Sequence, residues 1–484
     1  MPPSPRYRPD PRTPTLGEGF FDAVEPARFP REILRFRNDP WAERVGLGGL
    51  DDAEWVDHFA RFRPLPDNLK APLALRYHGY QFGVYNARLG DGRGFLFAQL
   101  RDPEDERLLD LGTKGSGRTP WSRDGDGRLT LKGGVREALA TELLEALGVY
   151  TSKTLSLVET GEELIRHDEP SPTRASVLVR LSHGHVRFGS FERHARAGDR
   201  DRIQALVDFS IASYYPDLAR EPDPTLAFFT AVSRRMVALA ASWMAAGFVH
   251  GVLNTDNMNV TGESFDYGPY RFLPHYDPRF VAAYFDEAGR YAFGRQAEVL
   301  RWNLERLADA LAHVTARDRL VAVLHDFEPR FLRLSQARIV EQLGLVPRDA
   351  LSDFVLASRV LCFLDESRAP WDQFFFDWWG GAASEKRAMS GPSASHYRGP
   401  KLDALRHALE GYSPRAPEQL GDAFFGRARP ASLVYDEIEA LWAPIAARDD
   451  WSLFHTKIAD IRAMGRALGR PAATHVGPPR IDVE

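Results

Sequence analysis

Three side chains that could bind a metal or move a proton lie within eleven residues of one another, just after a long apolar segment. They occur in His250-Gly-Val-Leu-Asn-Thr-Asp-Asn-Met258 and in Asp266-Tyr-Gly268. Mg²⁺ takes one or two oxygen ligands from a protein together with substrate phosphates, so Asn257 and Asp266 form a candidate metal site. Asp256 is a candidate general base for a proton from an incoming hydroxyl, with a helix or turn cap as the structural alternative.

The order of these residues is typical of kinases, with one exception. Kinases place an Asn at the end of the catalytic loop and then an Asp-x-Gly motif that holds the metal between nucleotide phosphates. The kinase catalytic Asp comes two residues after the His, and here that position is Val252. The chain therefore keeps the metal ligands and lacks the usual base, which predicts nucleotide binding without ordinary phosphoryl transfer.

A glycine-rich segment upstream is a candidate phosphate contact. Gly90-Asp-Gly-Arg-Gly94 lies between two β-rich runs, Phe82–Leu89 and Phe95–Leu100, which predicts a hairpin with a glycine-rich turn. Glycine has no Cβ, so a phosphate can approach the backbone closely there. On its own the pattern is more often a plain hairpin turn.

A lysine and a glutamate strengthen the nucleotide-binding interpretation. Lys114 follows a predicted strand at Leu108–Thr113, and Glu137 lies 23 residues later on a predicted amphipathic helix, Gly133–Leu147. Kinase-like folds pair a strand lysine with a glutamate of the next helix to fix a contact to the phosphates. A solvated surface residue is the alternative for either one alone.

Other polar residues carry weaker signals. Asp124-Gly-Asp-Gly127 is either a turn or an active-site loop, because it lacks the further acidic positions of a calcium-binding loop. Arg180 and Arg187 are seven residues apart and could each grip a phosphate with two hydrogen bonds. The alternative for these arginines is a surface ion pair. His250 is interpreted as a structural residue that pins its loop.

The composition excludes several classes of protein. The 484 residues carry a formal net charge of −5, which gives no reason to expect a nucleic-acid partner, and no apolar run is long enough to span a bilayer. Cys362 is the single cysteine and lies in the apolar run Val360–Leu364. We therefore expect it to be buried, with no intrachain disulfide and no response of activity to thiol reductants. These features favour a monomer in the cytoplasm.

The predicted elements divide the chain into a β-rich first part and a helical second part. An irregular arm at residues 1–30 precedes the strands and helix above, and two further strands follow at Thr154–Val158 and Ser176–Leu181. Helices are predicted at Leu226–Phe248, Gln296–Leu311, Asp318–Leu343, Ala350–Leu364, Ser432–Ala447 and Ser452–Leu468. We expect an α+β fold with domains at residues 1–60 (N-terminal arm), 61–190 (nucleotide binding) and 191–484 (helical, with the catalytic and metal-binding loop).

Taken together, these residues resemble the selenoprotein O (YdiU) family over roughly residues 15–470. The family has a protein-kinase-like two-lobed fold, with a β-rich N-lobe that contains one key helix and a larger helical C-lobe. Its members are pseudokinases that bind ATP in a flipped orientation. The resemblance depends on long, ordered stretches: Tyr77-His-Gly-Tyr-Gln-Phe-Gly83, Leu111-Gly-Thr-Lys-Gly-Ser-Gly-Arg-Thr-Pro-Trp-Ser-Arg123, His185-Val-Arg-Phe-Gly189, His250-Gly-Val-Leu-Asn-Thr-Asp-Asn-Met258 and Phe265-Asp-Tyr-Gly-Pro269.

The resemblance implies a protein adenylyltransferase that transfers AMP from ATP to Ser, Thr or Tyr hydroxyls of proteins and releases pyrophosphate. Transfer of UMP from UTP, favoured by Mn²⁺, is also attributed to bacterial members. Carried over by position, Asp256 is the general base, and Asn257 and Asp266 bind Mg²⁺. The implied nucleotide site consists of Gly90, Gly92, Arg93, Lys114, Asp126, Gly127, Glu137, Arg180, Arg187 and Asp266.

The chain departs from the family pattern in three places. It ends Ile481-Asp-Val-Glu484, without the C-terminal cysteine or selenocysteine of many members. The segment Phe280–Tyr284 also lacks a cysteine that is common there, so the sequence gives no basis for redox control by a disulfide. Serine is usual in the family at the helix N-terminus before Glu137, where this chain has Lys132-Gly-Gly134. We therefore expect the first turn of that helix to be less tightly held than in other members.

Two alternatives to an adenylyltransferase stay open from the residues alone. A small-molecule or protein kinase would need a base at the position of Val252, which counts against it. A catalytically inactive pseudokinase scaffold would have no need to keep a complete set of nucleotide-binding residues. Retention of that set counts against the scaffold: Lys114, Glu137, Asn257 and Asp266.

Overall fold

The structure, a computed structural model, describes residues 4–167 and 169–474. The first part of the chain builds an antiparallel sheet and the second part is helical, as predicted for the α+β class. The strands within the described ranges are β1 (Phe21–Ala23), β2 (Ile33–Arg37), β3 (Leu73–Leu75), β4 (Gly79–Gln81), β5 (Val84–Asn86), β6 (Leu96–Arg101), β7 (Leu108–Lys114), β8 (Leu129–Thr130), β9 (Lys153–Leu164), β10 (Thr173–Ser182), β11 (Phe248–Val249) and β12 (Arg271–Phe272).

The α-helices of the same ranges include three among the sheet strands and a large group after them. They are α1 (Asp39–Arg44), α2 (Asp52–Phe59), α3 (Leu131–Ala146), α4 (Phe188–Arg196), α5 (Arg200–Tyr214), α6 (Pro224–Ala246), α7 (Gln296–Leu311), α8 (Arg317–Leu324), α9 (Phe327–Gln342), α10 (Ala350–Ser367), α11 (Trp371–Asp377), α12 (Glu385–Ser390), α13 (Pro400–Leu409), α14 (Tyr435–Arg448) and α15 (Ser452–Ala467).

The main sheet brings two predicted site residues to one face. Its strand order is β1-β3-β6-β7-β10-β9-β2, with β8 paired to β10. In the antiparallel pairing of β7 with β10, Lys114 lies opposite Leu178 and Gly112 lies opposite Arg180. Residues two apart on a strand point to the same face, and so do directly opposite residues. Lys114 and Arg180 are therefore near neighbours on one face of the sheet.

Helix α3 packs on β9 and β10 and carries Glu137 toward that face. The helix begins at a Thr130 N-cap, whose hydroxyl accepts a hydrogen bond from Gly133 N. Its body is almost entirely buried, which explains why its apolar positions are not confined to a stripe. The predicted helix at Gly133–Leu147 is confirmed.

Helix α6 is the buried helix predicted from the long apolar segment. Its N-cap is Asp223, which accepts a hydrogen bond from Leu226 N, and Pro224 stands at the first helical position, where a missing N–H does no harm. Gly247 ends the helix in the left-handed conformation at φ 63°. The chain then enters β11, which pairs with β12 and so closes the loop that contains residues 250–270.

The predicted hairpin around residues 90–94 is wrong. Strand β5 pairs instead with β4 across a two-residue turn at Phe82 and Gly83, both with positive φ, as in tight hairpins. Strand β6 pairs with β7 and β3. The glycine-rich segment packs against the backbone of β7, as Gly94 shows: a Cβ there would stand 1.9 Å from Thr113 O.

Two other expectations differ in detail. The helix predicted at Asp318–Leu343 is two helices, α8 and α9, because Pro329 is tolerated only in the first turn of a helix and forces a new start. Residues 1–30 are less irregular than predicted, since they contribute β1 to the main sheet. The remaining predicted helices are confirmed within a few residues.

Cys362 is exposed, and the expectation that it is buried is wrong. Its helix, α10, buries a face that includes Leu356, Val360 and Phe363, and Cys362 lies on the other side. An apolar run on a helix places some of its members outward, because successive residues turn by about 100°. Among the described residues, no helix is long and apolar enough to cross a membrane.

Candidate functional site

A compact ion cluster joins the sheet to the helical part of the chain. Lys114 Nζ lies 2.6 Å from Glu137 Oε2 and 2.7 Å from Asp266 Oδ1. Arg180 Nη2 lies 2.6 Å from Glu137 Oε1 and 3.3 Å from Asp266 Oδ1. The predicted pairing of Lys114 with Glu137 is present, and two cations thus share two carboxylates.

The charges of this ion cluster keep its carboxylates ionised despite burial. Burial acts to raise the pKa of Glu137, but the charges of Lys114 and then Arg180 outweigh it and lower that pKa. Burial likewise opposes ionisation of Asp266, yet the same two cations, with Arg187 and Arg93, hold its pKa well below the ordinary value. Asp266 is therefore an anion at neutral pH and presents the charge that a metal ion needs.

Arg187 bonds to the turn that contains Asp256, and its charge also acts on Asp266 of the cluster. Its Nη1 donates to the backbone carbonyl of Asp256 at 2.7 Å, and its Nη2 lies 3.3 Å from Asp91 Oδ1. The guanidinium also lies 4.9 Å from the centre of the Phe265 ring and 4.5 Å from that of Tyr77. Among the described residues, the buried Nε atom has no hydrogen-bond partner. The side chain is thus fixed on several sides and keeps a donor free.

Asp256 lies in a short 3₁₀ turn, Thr255–Asn257, and its carboxylate is nearly buried. Within the described part of the chain, Asp256 Oδ1 has no hydrogen-bond partner. Burial raises the pKa of Asp256 to about 6, against the opposing charge of Arg187. Gly79 of β4 lies directly against it, since a Cβ there would stand 2.8 Å from Asp256 Oδ1. The raised pKa makes this carboxylate a stronger proton acceptor than an ordinary aspartate.

The turn is held by its neighbours on both sides. Thr255 Oγ1 accepts a hydrogen bond from Tyr80 N and donates one to Glu192 Oε2, both at 2.8 Å. Asn254 Oδ1 accepts a hydrogen bond from Phe82 N at 3.1 Å. His250 Nε2 lies 2.9 Å from Phe265 O, which agrees with its interpretation as a residue that pins the loop. Strand β4 and helix α4 thereby position Asp256.

The residues predicted to bind a metal fit a small oxygen-seeking cation. Asn257 Nδ2 donates to Val252 O at 3.0 Å, which orients the amide so that its oxygen is the atom left for a cation. Asp266 supplies the negative charge, at a left-handed backbone position with φ 63°. The described residues contain no group of three or more His, Cys, Asp or Glu that could hold a metal. Two protein oxygens suit Mg²⁺, which completes its shell with phosphates and water.

The glycine-rich and Asp-Gly segments are related to the cluster in different ways. Arg93 contributes to the charge that lowers the pKa of Asp266, so it belongs with the cluster. Gly90 and Gly92 pack against Trp121, since a Cβ on either would lie within 3 Å of it. The lack of a side chain at these two glycines is therefore explained by close packing against Trp121.

Asp126 is not brought into the cluster. Its carboxylate pairs with Arg166 at 2.8 Å and accepts a hydrogen bond from Arg128 N. No ion pair joins it to Lys114, Arg180 or Arg187 among the residues that the structure describes. Gly127 adopts φ 71° and packs against Gly117, where a Cβ would stand 2.3 Å from a backbone carbonyl. Both residues lie in the loop that follows Lys114.

Comparison with known proteins identifies the family of the chain. A family model described as protein adenylyltransferase SelO matches residues 6–462. The chain belongs to this family. It is 43% identical over 479 residues to the "Protein nucleotidyltransferase YdiU" of Synechocystis sp., covering 94% of this chain and 98% of that protein. The protein of the same name from Gloeobacter violaceus is 44% identical over 466 residues, covering 94% of each chain.

Membership of the SelO family makes the chain a nucleotidyltransferase, with ATP as the implied substrate. The predicted resemblance is thereby confirmed. Four residues that contact Arg187 or the turn at Asp256 were missed by sequence reasoning about their chemistry: Tyr77, Gly79, Asp91 and Glu192. Tyr77 and Gly79 lie in a stretch that carried the resemblance, so position within a family motif was the available signal. Glu192 lies outside the stretches that carried the resemblance, so its sequence position gave no signal.

Proposed function

We propose that this SelO-family chain transfers AMP from ATP to Ser, Thr or Tyr hydroxyls of protein substrates. The observation that carries the proposal is the joint position of two groups: the Lys114–Glu137–Asp266 cluster, and Asp256, whose backbone carbonyl accepts a hydrogen bond from Arg187, an arginine whose charge also acts on Asp266. The first group can hold polyphosphate, and the second can accept a proton. Transfer of UMP from UTP in the presence of Mn²⁺ is the variant reaction that the same groups allow.

The cations of the site would bind the phosphates of the nucleotide. Lys114, Arg180 and Arg187 are buried, and the Nε atoms of both arginines have no hydrogen-bond partner among the described residues. Guanidinium groups bind phosphate oxygens through pairs of charge-assisted hydrogen bonds. Arg93 adds charge beside Asp266. Together these groups would offset the charge that develops on the leaving pyrophosphate.

Asp256 would act as the general base. The acceptor oxygen forms a bond to the α-phosphorus, the bond between that phosphorus and the bridging oxygen breaks, and pyrophosphate leaves with the electron pair. The acceptor proton passes to the carboxylate of Asp256, whose pKa is raised by burial. Arg187 fixes the backbone of this residue through its carbonyl. Val252 occupies the position of the kinase base, so ordinary phosphoryl transfer has no equivalent group.

Asn257 and Asp266 would hold Mg²⁺ or Mn²⁺. When bound, the divalent cation neutralises phosphate charge and orients the α-phosphate. Asp266 Oδ1 already contacts Lys114 and Arg180, which prevents its protonation and keeps it available as a ligand. Asn257 is adjacent to the proposed base, so the cation and the proton acceptor would lie on the same short turn.

We assign the kinase-like two-lobed fold on the same grounds. Residues 61–190 would form the N-lobe with α3 as its key helix, and residues 191–484 the C-lobe with the catalytic loop. Residues 1–60 would be an N-terminal arm that adds strands to the sheet. The strand lysine, the helix glutamate and the Asp-x-Gly aspartate meet in space as this fold requires. A cytoplasmic monomer without nucleic-acid or membrane partners completes the proposal.

Separate labelling of the phosphates of ATP tests the proposed reaction. The purified chain is incubated with a protein extract and with ATP labelled at either the α or the γ position. Label on protein from the α position alone is expected. Label from the γ position would show a kinase, and no label from either position in any extract would leave a non-catalytic scaffold. Asp256→Ala serves as the matched control for background labelling.

A further inference from the structure

A second positively charged cavity lies outside the candidate nucleotide site. It has a volume of about 150 Å³ and is lined by Tyr150 and by four arginines, Arg235, Arg338, Arg415 and Arg470. Arg235 lies on α6 and Arg338 on α9, whereas Arg415 follows α13 and Arg470 follows α15. None of them belongs to the ion cluster around Lys114. Four like charges around one small cavity would repel one another unless they are compensated.

Three of the four guanidinium groups are held by backbone carbonyls and not by carboxylates. A carbonyl bond fixes the position of a guanidinium but leaves its charge uncompensated. The bonds are Arg235 Nη1 to Thr261 O at 3.1 Å, Arg415 Nη2 to Leu468 O at 3.2 Å, and Arg470 Nη1 to Leu147 O at 2.6 Å.

The cavity carries an excess of positive charge. Arg338 pairs with Glu341 at 2.7 Å. Within residues 4–167 and 169–474, no salt bridge is formed by Arg235, Arg415 or Arg470. Burial, assisted by the charge of Arg415, lowers the pKa of Arg470 to about 10. Like charges brought together in a partly desolvated cavity repel one another, so an anion in the cavity would stabilise the arrangement.

Arg235 supplies an independent sign of a missing partner. Arg235 is only 7% exposed, and its Nε has no hydrogen-bond partner among the described residues. The guanidinium lies 4.2 Å from the centre of the Tyr215 ring, which fixes its plane. A buried N–H without an acceptor costs free energy. An oxyanion in the cavity would offer that acceptor.

We propose that this cavity binds a phosphate-type oxyanion, as inorganic phosphate or as the phosphate of a small phosphomonoester. Guanidinium forks match the oxygen geometry of phosphate, and four of them can surround one group. Pockets for drug-sized ligands are roughly 300–1,000 Å³, so a cavity of about 150 Å³ suits a smaller ligand and excludes a whole nucleotide. The site is distinct from the one that takes ATP.

The cavity shares a wall with the segment that leads to Asp266. Arg235 bonds to Thr261 O, and a Cβ on Gly262 would stand 2.5 Å from the Arg235 side chain. Ser264 N donates to Tyr150 O at 2.9 Å, so the same short segment also contacts Tyr150. Bound phosphate would therefore reduce local opening of residues 261–264, which gives a readout that needs no variant.

Calorimetric titration of the full chain with sodium phosphate, against sodium chloride at matched ionic strength, tests the proposal. We expect saturable binding of phosphate to the parent, and binding about tenfold weaker or more in Arg415→Gln and in Arg338→Gln. Arg333→Gln, on the same helix as Arg338 but outside the cavity, is the matched control and should bind as the parent does. Glycerol phosphate as a second probe distinguishes a phosphomonoester from free phosphate by its relative affinity.

Three outcomes would overturn the proposal: no binding of either probe to the parent, equal binding by the cavity variants and Arg333→Gln, or loss of binding in Lys114→Ala. The last would place phosphate in the nucleotide site. Hydrogen exchange of the parent provides a second measurement if a variant fails to fold. Phosphate should slow exchange at residues 261–264, and slowing confined to residues 90–94 and 114–127 would contradict the assignment.

Discussion

Gly79 lies against the carboxylate of Asp256 so closely that a Cβ on the glycine would stand 2.8 Å from Asp256 Oδ1. The two residues are far apart in the sequence, and β4 brings them together through the hydrogen bond from Tyr80 N to Thr255 Oγ1. Gly79 thereby leaves room for the proposed base, and its lack of a side chain is part of the site.

Substitution of this glycine should move the base. In Gly79→Ala the new methyl group displaces the Asp256 carboxylate, and misplacement of a reacting group by about 1 Å can cost on the order of 10²-fold in rate. We expect AMP transfer to slow by roughly that factor while ATP binding changes little. Gly49→Ala, where a Cβ meets nothing within 4 Å, is the control. Parental transfer by Gly79→Ala would exclude a role for this contact.

The proposed base and the proposed metal ligand should separate in their effects. Asp256→Ala removes only a proton acceptor, so it should bind Mg·ATP nearly as the parent does and transfer AMP about 10²–10⁴-fold more slowly. Asp266→Asn keeps a residue that tolerates φ 63° but removes the charge, so it should lose metal-dependent ATP binding as well. Calorimetry and an α-label transfer assay on both variants measure the difference. If Asp256→Ala lost metal-dependent ATP binding and Asp266→Asn kept it, the roles of proton acceptor and metal ligand would have to be exchanged.

Lys114→Ala should weaken nucleotide use through the loss of a phosphate contact. The change also leaves Glu137 and Asp266 with Arg180 as their shared cation. We expect a higher KM for ATP and slower transfer. Lys132→Ala is a matched control, because Lys132 lies on α3, the helix that carries Glu137, and pairs with Glu439 at 2.8 Å, outside the cluster. If Lys114→Ala and Lys132→Ala label proteins equally well, the nucleotide-binding role of Lys114 is wrong.

Glu192 should make stability depend on pH. Burial raises its pKa from the ordinary 4.5 to about 8, so between these values the folded protein holds a proton that the unfolded chain releases. Stability therefore falls as pH rises through this window. Glu192→Gln lacks this contribution. As pH rises, the free energy of unfolding of the variant should therefore increase relative to that of the parent, by roughly 1.4 kcal/mol per pH unit at most.

Urea unfolding of the parent and of Glu192→Gln from pH 5 to pH 8 measures that difference. Glu366→Gln, an exposed glutamate on α10, should follow the parent at every pH. A parallel pH dependence of the parent and Glu192→Gln would mean that Glu192 is ionised in the folded protein.

The composition of the ion cluster could be predicted from the sequence, because it follows from the order of short motifs. A lysine at the end of a strand, a glutamate on the next helix and an Asp-x-Gly after the long apolar helix each have a local signal. The helix carrying Glu137 and the buried helix α6 were likewise predicted, since amphipathic spacing, caps and apolar length are properties of neighbouring residues. Membership of the SelO family also follows from the sequence, since the family model matches residues 6–462.

Only the tertiary structure decided that Arg180 and Asp266 join the predicted pair of Lys114 and Glu137. The register of β7 against β10 puts Arg180 beside Lys114, where both share Glu137 and Asp266, and that register is set by pairing between distant strands. The exposure of Cys362 and the approach of Gly79 to Asp256 depend in the same way on what packs against each element. Local spacing determines the type of an element and the chemistry it carries, whereas contacts across hundreds of residues arise only when the sheet and the helices have closed around one another.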